Sequence, residues 1–323
     1  MDNLSNLGRG VSDVLQPTYQ IYGDILRQPE NKAKIQSANC ETFSYGSHDR
    51  HKLDLYRPSL SAPKPARGKS RPVLIFVCGG GFVHGDRILS EVPGGIVYKN
   101  LGYFFAEKFG FETVVMEYLL LKHGAKLPSG AEDIDSILEW VQSRFGENEK
   151  NERKIFLMGN SAGGVHVATW LFGEWFRQRR EMLSEGMGSI RLGGIVLLGA
   201  PFNWNASSGE LLTVLASYYG SQKDIKVNEP MELMKRATEG DIGRDMQKWP
   251  RLMVLVSELD PEDMMIQSAK DFVEEWKYRG GKADFEILKG HNHISPPLAL
   301  GTGLEREELW GFEVGRWISV LND

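Results

Sequence analysis

Hydrophobic positions along the chain form short, nearly continuous runs separated by longer segments in which apolar residues recur every three or four positions. Such runs are typical of buried parallel strands, and the segments between them are typical of helices that cover a sheet. The predicted strands are ETFSYG, KLDLYRP, PVLIFVC, FETVVMEY, KIFLMGN, GIVLLGAP, RLMVLVSE and ADFEILK. This alternation predicts an α/β fold with a mostly parallel, doubly wound, eight-stranded sheet flanked by helices.

Two of the intervening segments carry strong helical patterns. In AEDIDSILEWVQSRF, one helical face collects four apolar residues, namely Ile134, Ile137, Leu138 and Val141. The segment DMMIQSAKDFVEEWKYRGG has the same periodicity and ends in glycines suited to a helix C-cap. Each is therefore predicted as one continuous helix.

Two stretches break the alternation of strands and helices. Residues 1–38 are weakly helical and precede the first predicted strand, and residues 203–247 show helical patterns without a strand. We interpret residues 39–202 and 248–323 as the core, and 203–247 as a helical cap insertion. Ligands bind beyond the carboxyl ends of the strands in α/β folds, so such an insertion can cover a site there, with residues 1–38 as a further candidate part of the cap. An ordinary long crossover is the alternative reading of 203–247.

Composition narrows the classes of partner. A length of 323 residues with 41% hydrophobic content suits one large domain with an insertion, and the net charge of −5 comes from interspersed acids and bases. We therefore expect no nucleic-acid partner. The start of the chain lacks a signal-peptide pattern and no apolar run is long enough to span a bilayer, so we expect a cytoplasmic protein without a membrane span. Cys40 and Cys78 are too few for a disulfide framework or a thiolate metal site.

The strand KIFLMGN runs directly into Gly-Asn-Ser-Ala-Gly and then into an apolar helical pattern. This is the G-x-S-x-G nucleophile elbow in the strand-to-helix context that makes it meaningful. Gly159 and Gly163 keep side chains out of a sharp turn, so Ser161 can present its hydroxyl to a substrate. Ser161 is the predicted nucleophile.

Three consecutive glycines follow the third predicted strand, in CGGGF. Neither the Walker A pattern nor Gly-x-Gly-x-x-Gly is present, so a phosphate loop is excluded. Bare backbone N–H groups can instead converge on an oxygen that becomes negative during acyl transfer. We predict that this oxyanion hole consists of the N–H groups of Gly80, Gly81 and Ala162.

A serine nucleophile needs a base and an orienting acid on neighbouring loops at the carboxyl ends of the strands. Asp260 follows the strand RLMVLVS and is the predicted acid, because Glu258 and Asp263 do not hold the strand-end position. After the next strand, His291 and His293 compete for the role of base.

These motifs together carry a family resemblance. From about residue 41 onward the chain resembles the α/β-hydrolase superfamily, specifically the hormone-sensitive-lipase-like and feruloyl-esterase-like esterases, in CGGGFVHGD, GNSAGG, ELDP and GHNHIS. The resemblance implies an α/β-hydrolase fold with a cap and no cofactor, and the usual Gly-x-x-His spacing favours His293 as the base. Fungal esterase-like proteins, including tailoring enzymes of secondary metabolism, are similar in GGGF, GNSAGG and GHNHIS, so we expect the chain to belong to that subgroup.

The chain departs from this family pattern at two places. Cys78 replaces the usual histidine of the H-G-G-G loop, and MEYLLL replaces D-Y-R-L around Glu117. A thiol is a weak hydrogen-bonding group, so we expect Cys78 to be a buried structural residue and the loop to be held mainly by packing.

The predicted activity is hydrolysis of carboxylic esters through an acyl-enzyme on Ser161. An intramolecular acyl transfer that closes a lactone and an arylformamidase-like amide hydrolysis use the same groups and remain alternatives, with a non-catalytic ligand receptor as a third class. The expected substrate is a small apolar or aromatic acyl compound, and a homodimer is left open. Its pocket is predicted to be lined by Phe82, Trp204, Leu211, Leu212, Tyr218 and Tyr219.

No metal site is predicted. His84 and His166 lack Asp, Glu or Cys companions at ligand spacing, so we interpret both as packing histidines.

Overall fold

An eight-stranded sheet forms the centre of the computed structural model, which describes residues 4–146, 152–186, 188–240 and 245–323. The strand order is β1-β2-β4-β3-β5-β6-β7-β8, with β2 antiparallel to both of its neighbours and every other pair parallel. The strands are β1 Asn39–Ser44, β2 Lys52–Arg57, β3 Val73–Val77, β4 Glu112–Met116, β5 Arg153–Asn160, β6 Ile190–Leu198, β7 Leu252–Ser257 and β8 Ala283–Leu288. All eight predicted strands are present, and the predicted fold class is confirmed.

Helices cover the sheet and form the connections between its strands. In the described ranges they are α1 Val11–Leu26, α2 Pro29–Gln36, α3 Lys99–Phe109, α4 Ser129–Gly146, α5 Ala162–Phe172, α6 Arg177–Glu185, α7 Glu210–Tyr219, α8 Gln222–Asn228, α9 Pro230–Ala237, α10 Ser268–Tyr278, α11 Ser295–Ala299 and α12 Glu305–Asn322. None of them has the length and apolar character that a membrane crossing requires.

The apolar patterns correspond to buried surfaces. Every residue of β3 and β7 is buried, as expected for strands covered on both faces, and the four apolar residues of the α4 face are fully buried. The predicted helix at 263–281 differs from the structure. A π-helical turn spans Glu262–Gln267 and includes its first five residues, and the regular helix α10 begins only at Ser268.

Both segments outside the alternating pattern lie over the carboxyl ends of strands. Helix α1 packs against α11, which follows β8, and helices α7 to α9 occupy the long connection between β6 and β7. Residues 1–3 and 241–244 of these predicted segments lie outside the described residues. The proposed division into core and cap stays a prediction.

Candidate active site

Ser161 lies in the turn between β5 and α5, at the centre of the carboxyl edge of the sheet. Its φ of 51° and ψ of −120° are unusual for a residue other than glycine. The turn closes because α5 approaches β3 directly: a Cβ on Gly163 would lie 2.1 Å from the carbonyl oxygen of Val77. The Ser161 N–H donates to the Leu198 carbonyl oxygen at 2.8 Å, which fixes the turn against β6.

A continuous hydrogen-bonded chain connects Ser161 to the two predicted partners. The Ser161 Oγ lies 2.9 Å from His293 Nε2, and His293 Nδ1 lies 2.8 Å from Asp260 Oδ1. Asp260 is fully buried and His293 is 5% exposed, so water competes little for these bonds. The second carboxylate oxygen of Asp260 accepts the N–H of Ser257 at 2.8 Å, which fixes the carboxylate in the turn after β7.

The structure separates the two candidate histidines. His291 Nδ1 lies 2.8 Å from the Ser295 hydroxyl at the start of α11, and burial lowers the pKa of His291 to about 4. The His291 ring therefore lies in the buried base of the loop, whereas His293 contacts Ser161.

The alternative acids lie away from His293. Glu258 pairs with Lys289 at the surface, and Asp263 is exposed.

Neighbouring residues hold the His293 loop from behind. Asn292 is fully buried, and its side-chain oxygen accepts the N–H groups of Ile294 and Ser295. Its amide nitrogen donates to the Thr18 hydroxyl on α1 at 2.8 Å. Arg9, which precedes α1, donates to the carbonyl oxygen of Asp260 at 2.7 Å. The sequence offered no signal for these contacts, because the amino-terminal residues match no part of the catalytic motifs.

The glycine loop after β3 lies beside Ser161, as the predicted oxyanion hole requires. Gly80 has a φ of 141°, and a Cβ there would lie 2.4 Å from the backbone of His84, so only glycine fits. Within the described residues, the N–H groups of Gly80, Gly81 and Ala162 donate to no protein acceptor. Three donors beside the serine hydroxyl are thus available to a substrate oxygen.

Polar contacts hold this loop in addition to the packing that the sequence led us to expect as its main support. Tyr118 donates its hydroxyl to the Cys78 carbonyl oxygen at 3.0 Å, and Arg50 donates to the Gly85 carbonyl oxygen at 2.7 Å. The sequence gave no local signal for Arg50, which lies in the turn between β1 and β2. Cys78 itself is fully buried and its thiol lies 3.7 Å from the carbonyl oxygen of Met116.

The environment of Cys78 opposes a role as nucleophile. Burial raises the pKa of its thiol, so the reactive thiolate is disfavoured. At the second departure from the family pattern, Arg87 Nε lies 3.6 Å from the Glu117 carboxylate. The Glu117 carbonyl oxygen accepts the hydroxyl of Tyr45 at 2.6 Å.

An aromatic cluster adjoins the serine and the glycine loop. The rings of Phe82 and Tyr218 stack at 4.5 Å, and Phe82 also lies edge-on to Trp204 and Tyr219 at 6.2 Å. Ala162 belongs to the same buried cluster, and Leu211 packs against it. Leu212 does not, because it is 39% exposed on another side of α7. Five of the six predicted pocket residues are thus brought together.

The two remaining histidines differ from each other. His84 is exposed, so its interpretation as a packing histidine was wrong, whereas His166 is buried behind Phe82. Nowhere in the described ranges do three or more His, Cys, Asp or Glu side chains form a group that could hold a metal ion.

The chain is similar in sequence to known proteins. Residues 53–174, which contain the glycine loop and the serine turn, match the family model BD-FAE. A probable isoprenylcysteine alpha-carbonyl methylesterase of Oryza sativa subsp. japonica is 22% identical over 291 residues, which are 85% of this chain. The chain covers 62% of the length of that relative.

Solved esterase structures superpose over nearly the whole chain. An esterase of Pyrobaculum calidifontis matches with a TM-score of 0.64 at 19% identity, covering 97% of this chain and 93% of that one. Esterase B of Lactobacillus rhamnosis, inhibited by a tributyrin phosphonate, matches with a TM-score of 0.65 at 17% identity and 91% coverage of both chains. The strand order, the serine turn and these superpositions together show that the chain has the α/β-hydrolase fold.

Proposed function

We propose that the protein is a carboxylic ester hydrolase that forms an acyl-enzyme on Ser161. The observation that carries the proposal is the continuous hydrogen-bonded chain from Ser161 through His293 to the buried Asp260. Ester hydrolysis needs a nucleophile, a base held in one tautomer and donors for a developing oxyanion. These groups converge at one edge of the sheet.

In the proposed mechanism each group has a role in the first half of the reaction. His293 Nε2 accepts the proton of the Ser161 hydroxyl while Oγ attacks the carbonyl carbon, and the N–H groups of Gly80, Gly81 and Ala162 bind the resulting oxyanion. Collapse of this intermediate breaks the ester bond, and the imidazolium returns the proton to the leaving alcohol. Asp260 holds the proton on Nδ1 and stabilises the imidazolium.

The second half repeats these steps with water. His293 removes a proton from a water molecule, which attacks the acyl carbon, and the same donors bind the second oxyanion. Oγ of Ser161 then leaves as the acid is released and recovers its proton from His293. No redox cofactor or metal enters this proton balance.

An apolar or aromatic acyl group is the substrate class that the site favours. The aromatic cluster of Phe82, Trp204, Tyr218 and Tyr219 adjoins Ala162, the residue that follows the nucleophile. The buried Glu229 carboxylate lies at its edge, where it accepts the Trp204 backbone N–H and pairs with Lys226. Transfer of an apolar acyl group to such surroundings is favourable, whereas a carboxylate there would lose its hydration without a partner. Both superposed structures are esterases, which supports the same reaction class. A role among fungal enzymes of secondary metabolism stays a prediction.

Labelling with a fluorophosphonate tests the nucleophile. We expect intact mass spectrometry to show one adduct on the wild-type protein and none on Ser161→Ala. The same substitution should lower the hydrolysis of p-nitrophenyl esters by at least about a thousandfold, because the triad acts as a unit. Unchanged activity in purified Ser161→Ala would refute the proposal.

Product analysis separates hydrolysis from the alternatives. With hydroxy-acyl esters as substrates, hydrolysis releases the free acid, whereas cyclisation releases a lactone that is lighter by one water. Stoichiometric binding of an ester without turnover would instead support a receptor.

A further inference from the structure

Arg50, which lies outside the recognised motifs, contacts both the end of the glycine loop and the segment that follows β4. The guanidinium of Arg50 donates from Nη2 to the Gly85 carbonyl oxygen at 2.7 Å and from Nη1 to the Asp86 carboxylate at 2.5 Å. Its Nε donates to the Tyr118 carbonyl oxygen at 2.8 Å. The side chain is only 13% exposed, so these bonds form largely out of contact with water.

Gly85, one of the residues that accept a hydrogen bond from Arg50, is in turn packed against Gly80 of the predicted oxyanion hole. The loop turns back on itself through a bond from the His84 N–H to the Gly80 carbonyl oxygen at 2.8 Å. The Cα of Gly80 faces the backbone of His84 and Gly85, because a Cβ there would lie 2.4 Å from one and 2.8 Å from the other. A shift of Gly85 would therefore displace Gly80, whose N–H group is one of the predicted oxyanion donors.

Tyr118 completes the arrangement on the other side of the loop. Arg50 holds the backbone of Tyr118, and the Tyr118 hydroxyl donates to the Cys78 carbonyl oxygen at 3.0 Å. The Cys78 thiol cannot supply equivalent support, since it is a weak donor and lies 3.7 Å from its acceptor, the Met116 carbonyl oxygen. Arg50 thus makes charge-assisted contacts with Gly85 and Asp86 at one end of the loop. It supports Cys78 at the other end only indirectly, through Tyr118.

We propose that Arg50 is the positioning residue of the oxyanion hole. The proposal rests on the proposed esterase function. An arginine suits this position because its rigid planar fork reaches three acceptors in fixed directions, which a lysine ammonium cannot do. Arg50 acts through Gly85 and Tyr118 and contacts no reacting atom.

The test compares Arg50→Met and Arg50→Lys with Arg57→Met as the matched control. Arg57 lies on β2 of the same hairpin, and its ion pair with Glu41 is at the surface, at 2.9 Å. Loss of a whole oxyanion donor costs about 10²–10³ in kcat, so displacement of the donors should lower kcat by about 10- to 100-fold in Arg50→Met. We expect KM within about threefold of wild type, an intermediate kcat for Arg50→Lys, and an unchanged kcat for Arg57→Met.

Two readouts distinguish positioning from a general loss of folded protein. The kcat is calculated per serine titrated by the fluorophosphonate, so unfolded molecules do not contribute. Affinity for a boronic acid, whose tetrahedral adduct resembles the transition state, should fall by about the same factor as kcat/KM. Millimolar guanidinium should partly restore the kcat of Arg50→Ala, and ammonium at equal ionic strength should not.

The outcomes separate this inference from the proposed function. If wild type hydrolyses esters and Arg50→Met has the same kcat per serine as Arg57→Met, the positioning role is refuted. If Arg50→Met does not fold, Arg50→Lys decides, and a wild-type kcat per serine in that variant refutes the role. An inactive, unlabelled wild-type protein would refute the esterase function itself.

Discussion

Acidification should destabilise the protein through His166, a buried histidine on α5 that the proposed reaction does not use. His166 is 1% exposed, and its Nδ1 lies 3.3 Å from the Tyr218 hydroxyl. Its Nε2 has no hydrogen-bond partner within the described residues. Burial alone lowers the pKa of this imidazole from 6.5 to about 3, because a charged ring would lose its hydration without a compensating partner.

The shift in pKa sets the size and sign of the effect. Between about pH 6.5 and pH 3 the unfolded chain binds a proton at His166 that the native protein excludes, so stability falls as the pH falls. At pH 5 the loss relative to pH 8 is about 2 kcal/mol from this residue. Asp133 acts in the opposite direction, since burial raises its pKa to about 7. The contribution of His166 is therefore measured as a difference between variants, in which the contribution of Asp133 cancels.

The assay is urea unfolding of wild type, His166→Met and Leu171→Met at pH 8 and pH 5. Leu171 is fully buried on the same helix and does not titrate, so its replacement controls for a change of packing. We subtract the free energy of unfolding of wild type from that of His166→Met at each pH. This difference should be about 2 kcal/mol more favourable to the variant at pH 5 than at pH 8, because only wild type loses stability through the histidine. For Leu171→Met the difference should stay constant. A pH-independent difference for His166→Met would refute the reasoning.

Three further predictions test the site by substitution. In ester hydrolysis, His293→Ala should lose at least about a thousandfold in kcat, whereas His291→Ala should retain far more; the reverse order would show that the base is His291. Cys78→Ala should keep activity within about tenfold, and an acyl group mapped to Cys78 in wild type would contradict its structural role. Thr18→Val leaves the buried Asn292 amide without its acceptor, so thermal unfolding should show a loss of about 1–3 kcal/mol, and Thr18→Ser should restore most of it. Equal stability of the two Thr18 variants would contradict that contact.

Local patterns in the sequence were sufficient for the fold and for the nucleophile. All eight predicted segments are strands, and the runs that are apolar throughout, such as those of β3 and β7, became central parallel strands that are buried on both faces. The elbow is also local, since Gly159, Ser161 and Gly163 lie within five consecutive residues. The turn depends on the absence of a side chain at the two glycines. Such features are determined by neighbours in the chain.

Contacts between distant residues were decided only by the tertiary structure. The bond between Ser161 and His293 joins residues 132 positions apart, and the direction of each ring was needed to separate His293 from His291. Arg50 reaches the glycine loop from a turn whose residues resemble an ordinary hydrophilic connection.

The dependence on tertiary structure also explains why Leu212 was wrongly predicted to line the pocket. Leu212 and Leu211 are adjacent leucines, yet only Leu211 packs against the aromatic cluster, because successive residues of a helix point about 100° apart. The orientation of α7 over the site decides which of the two is covered. That orientation results from packing of the whole chain, and hydrophobicity at a single position does not encode it.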